Sequence, residues 1–143
     1  MHSGHIVREI SPGGGVAIRD AHCQYVLRRL RSDALEVEIV GTDRGQFGSA
    51  AIDEVTLALF REPELTLFVD ASRASFSVPS VSRAWARFFD TNRRQLKRVA
   101  ILASSRGMEV TMGIVRHLSD TAHLIQIYSD REAYEARKGL PAS

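Results

Sequence analysis

Apolar and polar residues alternate in some parts of the chain and recur at helical spacing in others. LEVEIVG alternates, which places Leu35, Val37 and Ile39 on one face of a strand. LTLFVD is apolar on both faces, as expected for a strand that is covered on both sides. Four segments are predicted as strands on these grounds: residues 35–41, 65–70, 98–104 and 124–129.

Between these strands, apolar residues recur three and four positions apart, the spacing of one helix face. Ser49 is the predicted N-cap of the first helix, and Pro63 ends it. The last helix, DREAYEARKG, begins after the capping residue Asp130 and ends at Gly139. The apolar stripes of the other three helices are Ile52, Val55, Leu59 and Phe60; Val81, Ala84, Trp85, Phe88 and Phe89; and Val110, Ile114, Val115 and Leu118.

The N-terminal part of the chain allows two interpretations. HIVREI, residues 5–10, indicates a short strand, and the glycines of SPGGG break the chain after it. QYVLRRLR and LEVEIVG are separated by the turn residues RSDA, which favours a hairpin. A helix over residues 19–31 is the alternative, because Tyr25, Val26 and Leu30 also form part of a helical stripe.

The order of elements predicts the fold class. Residues 35–139 alternate strand and helix four times, which favours right-handed crossovers and a largely parallel sheet. We therefore expect an α/β domain with about four α-helices, preceded by an N-terminal strand or hairpin. The whole chain, 1–143, is expected to form one domain, with residues 1–34 as an N-terminal extension of the core at 35–139.

Composition is that of an ordinary globular domain. The chain has 143 residues, of which 44% are hydrophobic and 25% charged. Its apolar runs are far shorter than the roughly 20 residues of a membrane helix, and the N-terminus lacks the pattern of a secretion signal. Cys23 is the single cysteine, so an internal disulfide is excluded. We expect no membrane span and a cytoplasmic location.

Charge and histidine positions argue against nucleic acid and metal. The net charge is +2, and the two basic clusters, VLRRLRS and TNRRQLKR, are not interleaved with exposed aromatic residues. The five histidines are scattered, and none pairs with another at the i,i+4 spacing of two ligands on one helix face. We expect no nucleic-acid partner, no metal and no cofactor.

Small polar residues follow three of the predicted strands. The loops GTDRGQFGS, ASRASFSVPS and SSRG come after Val40, Asp70 and Ala103, and in a parallel sheet such loops meet at one edge. This edge is the expected contact surface for a partner. The residues predicted to contact the partner are Asp43, Asp70, Ser72, Arg83, Arg87, Ser104 and Ser105.

The helix that contains Trp85 opens on serines. Ser80 is its most plausible N-cap, which by itself explains a serine at this position. The alternative is that Ser77, Ser80 or Ser82 is phosphorylated, because the helix N-terminus and Arg83 favour an anion.

The sequence offers little support for an enzyme. A serine nucleophile needs a base within reach, and the nearest histidines in sequence lie outside the three loops. The chain contains no GxSxG, GxxxxGK[ST] or helix-opening GxGxxG motif. We expect no catalytic residues.

The whole pattern resembles the STAS domains, the sulphate-transporter and anti-sigma-factor-antagonist family. The resemblance rests on LEVEIVG, LTLFVDAS, the serine-led helix, RVAILAS and LIQIYSDREAYEA, and it covers roughly residues 35–138. It is greatest to a divergent, SpoIIAA-like branch described as STAS/Sec14-like. The family resemblance implies a bacterial regulatory module whose partner is a kinase-like or anti-sigma protein.

The resemblance also suggests two kinds of site. In the antagonists a partner kinase phosphorylates a serine in a D-S-S-G segment; SFSVPSVS stands here, without that aspartate or glycine. The Sec14-like comparison implies instead a hydrophobic small molecule, such as a lipid, between the sheet and the helices. A homodimer through the edge of HIVREI is a further expectation. The candidate lining of the apolar pocket is Phe76, Trp85, Phe88, Phe89 and Met112.

Overall fold

Seven strands and four α-helices are found in the computed structural model, which describes residues 6–61, 64–118, 120 and 122–139. Pro63, the predicted end of the first helix, lies outside the described residues. In chain order the elements are β1 (Val7–Ile10), β2 (Val16–Arg19), β3 (Cys23–Arg31), β4 (Ala34–Asp43), α1 (Ala50–Arg61), β5 (Leu65–Ser77), α2 (Pro79–Thr91), β6 (Leu96–Leu102), α3 (Arg106–Leu118), a 3₁₀ turn (Ala122–Leu124), β7 (Ile125–Tyr128) and α4 (Arg131–Lys138).

The strands form one sheet in the order of the sequence, β1 to β7. β1 to β4 pair antiparallel as a meander, and β4 to β7 pair parallel through helical crossovers. This arrangement confirms the predicted mixed, largely parallel α/β fold. β1 is an edge strand, although dimerisation through it remains a prediction.

Helices cover the two faces of the sheet unequally. The larger core lies on the face that carries α1, α2 and α3, and it includes the predicted inward row of β4, Leu35, Val37 and Ile39. A smaller core lies under α4, where Tyr134 packs on Phe68. Since β5 has helices on both faces, all six residues of LTLFVD are buried, as predicted.

The N-terminal hairpin is confirmed, and the alternative helix over residues 19–31 is wrong. β3 pairs with β4 from Cys23 to Arg31, with the turn at Ser32 and Asp33. The sequence analysis did not identify β2. Its four residues extend the meander beyond β3, and pairing rather than a strong pattern of their own fixes them as a strand.

The predicted apolar stripe of α3 is largely wrong. The buried residues are Met108, Thr111, Met112 and Val115, whereas the predicted Val110, Ile114 and Leu118 are exposed. Both rows have helical spacing, so the sequence pattern does not determine which one faces the sheet. In α1, Val55 and Leu59 are buried as predicted, but Phe60 is exposed.

Candidate functional site

Three segments meet at the carboxyl ends of the parallel strands. Here Gly41 of β4 pairs with Ala74 of β5, and Asp43 pairs with Ser77. The segment after β6 joins them, because the Ser105 hydroxyl donates to the carbonyl oxygen of Ala74 at 3.2 Å. We call this edge the rim, and it consists of residues 41–49, 70–82 and 103–106.

Residues 71–77 were predicted to belong to a loop. This prediction is wrong, because β5 continues through Ser77. The continuation follows from β4, which extends to Asp43 and supplies backbone partners along this length. The register shifts twice, between Glu38 and Val40 and between Gly41 and Asp43, and β5 has one extra residue at each shift. The side chains of residues 71–75 are therefore held on one or the other face of a strand.

The sheet separates the predicted aspartates. Asp70 lies on the face that carries α4, where Arg131 donates to its carboxylate. Asp43 lies on the opposite face, where the Tyr25 hydroxyl donates to its carboxylate. Asp43 and Asp70 therefore belong to different surfaces, although their strands end at the same rim.

Asp70, Ser72 and Arg131 form a satisfied ionic cluster. Arg131 Nη2 lies 3.1 Å from Asp70 Oδ2 and 2.6 Å from Ser72 Oγ, and the Ser72 hydroxyl donates to Asp70 Oδ1 at 2.6 Å. Burial raises the pKa of Asp70, but the hydrogen bonds from Ser72 and the charge of Arg131 outweigh burial and lower it. An ionised carboxylate held in this way ties β5 to α4.

Asp43 lies beneath the N-terminal ends of α1 and α2. Its Oδ1 accepts the backbone N–H of Gly45 at 2.8 Å, and only 6% of the residue is exposed. Burial, reinforced by the charge of Asp43, raises the pKa of Tyr25 well above its usual value. Tyr25 therefore remains a neutral hydrogen-bond donor to Asp43.

The serines at the start of α2 differ in exposure. The helix begins at Pro79, and its N-cap is Val78, which makes no side-chain capping bond. The prediction that Ser80 is the N-cap is therefore wrong: Pro79, which favours the first helical position, moves the start forward, and Ser80 lies in the first turn. Ser80 is exposed, whereas Ser82 is 2% exposed.

Side chains of two predicted residues, Phe76 and Ser77, lie outside the described residues. Their backbone belongs to β5. Neither the proposed phosphorylation of Ser77 nor the proposed pocket role of Phe76 is tested. Of the three candidate serines, Ser80 is thus the one whose side chain is described and open to solvent.

The other predicted contact residues have mixed roles. Arg83 and Arg87 project from α2 into solvent, and Ser104 is exposed. Ser105 caps α3, because its hydroxyl accepts the backbone N–H of Met108 at 3.1 Å. Ser105 thus has a structural function that the sequence analysis did not anticipate.

Aromatic residues of α2 pack as a core. Phe88 and Phe89 are buried. The centroid of the Trp85 ring lies 5.6 Å from that of Phe88 and 6.1 Å from that of Phe89. The cavity beneath Trp85, Phe89 and Met112 has a volume of about 20 Å³. That volume holds about one water molecule, and a pocket for a hydrophobic ligand stays a prediction, since the side chain of Phe76 lies outside the described residues.

Several important polar residues were missed because their partners are distant in sequence. Glu36 is 2% exposed, and its Oε2 lies 2.8 Å from Lys138 Nζ and accepts the Tyr134 hydroxyl at 3.0 Å. Glu36 occupies a polar position in an alternating strand, which predicts a solvated face. No local pattern indicates that α4 covers it, nor that Arg131 reaches Asp70.

The described part of the chain has neither a metal-binding cluster nor a membrane-spanning helix. It contains no cluster of three or more His, Cys, Asp or Glu side chains placed to hold a metal ion. Among its helices, none combines the length and apolar character that crossing a membrane requires.

Comparison with known proteins identifies the fold. No family model matches the sequence, and no curated protein matches it. An anti-sigma factor antagonist from Mycobacterium paratuberculosis has a similar structure, with a TM-score of 0.60 and 11% identity over 90% of this chain and 97% of that one. An uncharacterized DUF3478-family protein from Shewanella loihica PV-4, with a SpoIIAA-like fold, gives a TM-score of 0.54 and 16% identity over 83% and 96% of the two chains. At these identities the likeness is one of fold, and this chain has the STAS, or SpoIIAA-like, fold.

Proposed function

We propose that this chain is a non-enzymatic bacterial regulatory module that acts in the cytoplasm by protein–protein contact at the rim. Its partner is a kinase-like or anti-sigma protein. The fold shared with an anti-sigma factor antagonist supports this class of function. The observation that carries the proposal is the position of Ser80, which is exposed in the first turn of α2 at the rim.

Phosphorylation of Ser80 is the proposed switch. A phosphate would add about −1.5 to −2 charges at a helix N-terminus, where free backbone N–H groups favour anions. Arg83 lies three residues further along α2 and is exposed, so its guanidinium is available on the same side of the helix. The phosphate would add negative charge to the rim surface around α2, beside the exposed Arg83, without a change of fold.

Charge substitution at Ser80 tests the switch. Proteins captured from the native host by the wild-type chain would be purified, and their affinities measured for Ser80→Asp and Ser80→Ala. We expect the two variants to differ in affinity for the partner, and phosphopeptide mapping over residues 70–90 to find phosphate on Ser80.

Ser32→Asp is the matched control. Ser32 is exposed in the β3–β4 turn, at the opposite end of β4 from the rim, so the same charge change there is expected to leave the affinity unchanged. Equal affinities for Ser80→Asp and Ser80→Ala, with no phosphate found on Ser80, would refute the switch.

A further inference from the structure

A second cavity opens at the rim, on the face that carries α1 and α2. Its volume is about 200 Å³. This is below the range of about 300–1,000 Å³ typical of drug-sized ligand sites, and it suits one side chain better than a whole small molecule. We call it the Asp43 pocket, and its lining includes Tyr25, Asp43, Gly45, Phe47, Ser80 and Trp85.

Three aromatic rings form much of the wall. The ring centroids of Tyr25 and Phe47 are 5.6 Å apart in an edge-on arrangement. The centroids of Tyr25 and Trp85 are 6.3 Å apart, and the planes of these two rings differ by 25°. Aromatic faces carry negative electrostatic potential and attract organic cations. The wall therefore favours a group that is both flat and positively charged.

Among the described residues of the lining, Asp43 is the one that carries a charge. Its carboxylate accepts hydrogen bonds from the Tyr25 hydroxyl and from the backbone N–H of Gly45. Within the described residues, no arginine, lysine or histidine forms an ion pair with it. Among the described residues each oxygen accepts one hydrogen bond, in a carboxylate that has room for about four.

A buried carboxylate without a cation is unusual and costly. Asp70 and Glu36, the other buried carboxylates on this sheet, each have a basic partner in α4. Asp43 differs from both in having an open cavity beside it instead. A cation that entered this cavity would therefore find the Asp43 carboxylate without a basic partner among the described residues.

We propose that the Asp43 pocket receives one arginine side chain of the partner protein. The guanidinium would pair with the Asp43 carboxylate and lie against the rings of Trp85 and Tyr25. Arginine fits this role better than lysine, since its planar group stacks on aromatic faces and forms two parallel hydrogen bonds to a carboxylate. The inference rests on the proposed function, because Ser80, the proposed switch, lines the same pocket.

The only tryptophan of the chain, Trp85, reports binding directly. Wild-type protein would be titrated with N-acetyl-arginine methylamide at constant ionic strength while the Trp85 fluorescence is recorded. N-acetyl-citrulline methylamide has nearly the same shape without the charge, and N-acetyl-lysine methylamide has the charge without the planar group. We expect saturable binding of the arginine probe, weaker binding of the lysine probe and no saturable binding of the citrulline probe.

Asp43→Asn is expected to weaken binding of the arginine probe by about tenfold or more, because it removes the charge-assisted hydrogen bonds. Glu109→Gln is the matched control: it makes the same charge change at an exposed position in the first turn of α3, and its affinity should equal that of the wild type. If Asp43→Asn does not fold, as judged by circular dichroism, the three probes on the wild-type protein still decide the question.

Two results would overturn the inference: equal binding of the arginine and citrulline probes, or unchanged binding by a folded Asp43→Asn variant. Tighter binding of the lysine probe than of the arginine probe would overturn the choice of arginine. The outcome is separable from that of the proposed function. If the arginine probe does not bind but Ser80→Asp still changes the affinity for the partner, the arginine pocket is refuted and the switch stands. If the arginine probe binds but Ser80→Asp has no effect on that affinity, only the switch is refuted.

Discussion

Replacing Gly41 with alanine tests how closely the chain entering β3 approaches β4 just before Asp43. Gly41 has a φ of +95°, a conformation that side chains disfavour. A Cβ atom at this position would collide with the carbonyl oxygen of His22 and would lie 3.2 Å from the Cα of Cys23. The His22 oxygen is not free to move away, since it accepts the backbone N–H of Thr42 at 3.1 Å.

Gly45 supplies a control with nearly the same backbone conformation. Its φ is +92°, but a Cβ there meets nothing within 4 Å. Gly45→Ala is therefore expected to cost only the conformational term, about 1–2 kcal/mol. Gly41→Ala adds a steric term of about 1–3 kcal/mol, together with a weakened hydrogen bond of about 1 kcal/mol, so its total cost is about 3–6 kcal/mol.

Urea unfolding followed by Trp85 fluorescence measures both free energies of unfolding. Since domains of this kind are stable by about 5–15 kcal/mol, Gly45→Ala should remain folded and Gly41→Ala should lose a large part of its stability. Equal losses for the two variants, with unchanged m-values, would refute the close approach between His22 and Gly41.

Two further predictions concern buried polar groups. The lowered pKa of Asp70 means that its hydrogen bonds from Ser72 and its ion pair with Arg131 stabilise the fold at neutral pH, and this contribution is lost as the pH falls below about 4. The free energies of unfolding of wild type and Asp70→Asn should therefore converge on acidification, and parallel pH profiles would contradict this. Thr66 is 2% exposed, and its hydroxyl has no hydrogen-bond partner among the described residues, so Thr66→Val should raise the free energy of unfolding by about 1 kcal/mol. Both predictions are measured by urea unfolding. Thr56→Val is the control, because it removes a 2.8 Å hydrogen bond to the Ile52 carbonyl and should give no gain. A loss of stability in Thr66→Val would show that the Thr66 hydroxyl is satisfied.

Local patterns in the sequence were sufficient to predict most of the helices and strands. The alternation of LEVEIVG, the buried run LTLFVD and the turn RSDA predict the β3–β4 hairpin and β5, because each pattern reports directly on which faces are covered. The Asp130 cap was also predictable. Its carboxylate accepts the backbone N–H groups of Glu132 and Ala133, and both partners lie within three residues.

Patterns that fit two orientations of a helix were not sufficient to predict which of its residues are buried. Helical spacing in α3 is satisfied both by Met112 with Val115 and by Ile114 with Leu118, and the sheet buries the first pair. The start of α2 was misplaced for a related reason. Serine and proline both favour helix starts, and only the backbone shows that Val78 precedes the first turn.

Sequence alone thus determined the four helices, most of the strands and the alternation of strand and helix after residue 35, because these depend on interactions between residues a few positions apart. Tertiary structure alone decided which polar residues share a site. Tyr25 and Asp43 are 18 residues apart, Asp70 and Arg131 are 61 apart, and Glu36 and Tyr134 are 98 apart. Such pairs form because the sheet register and the helix orientations bring them together, and burial then makes each hydrogen bond necessary.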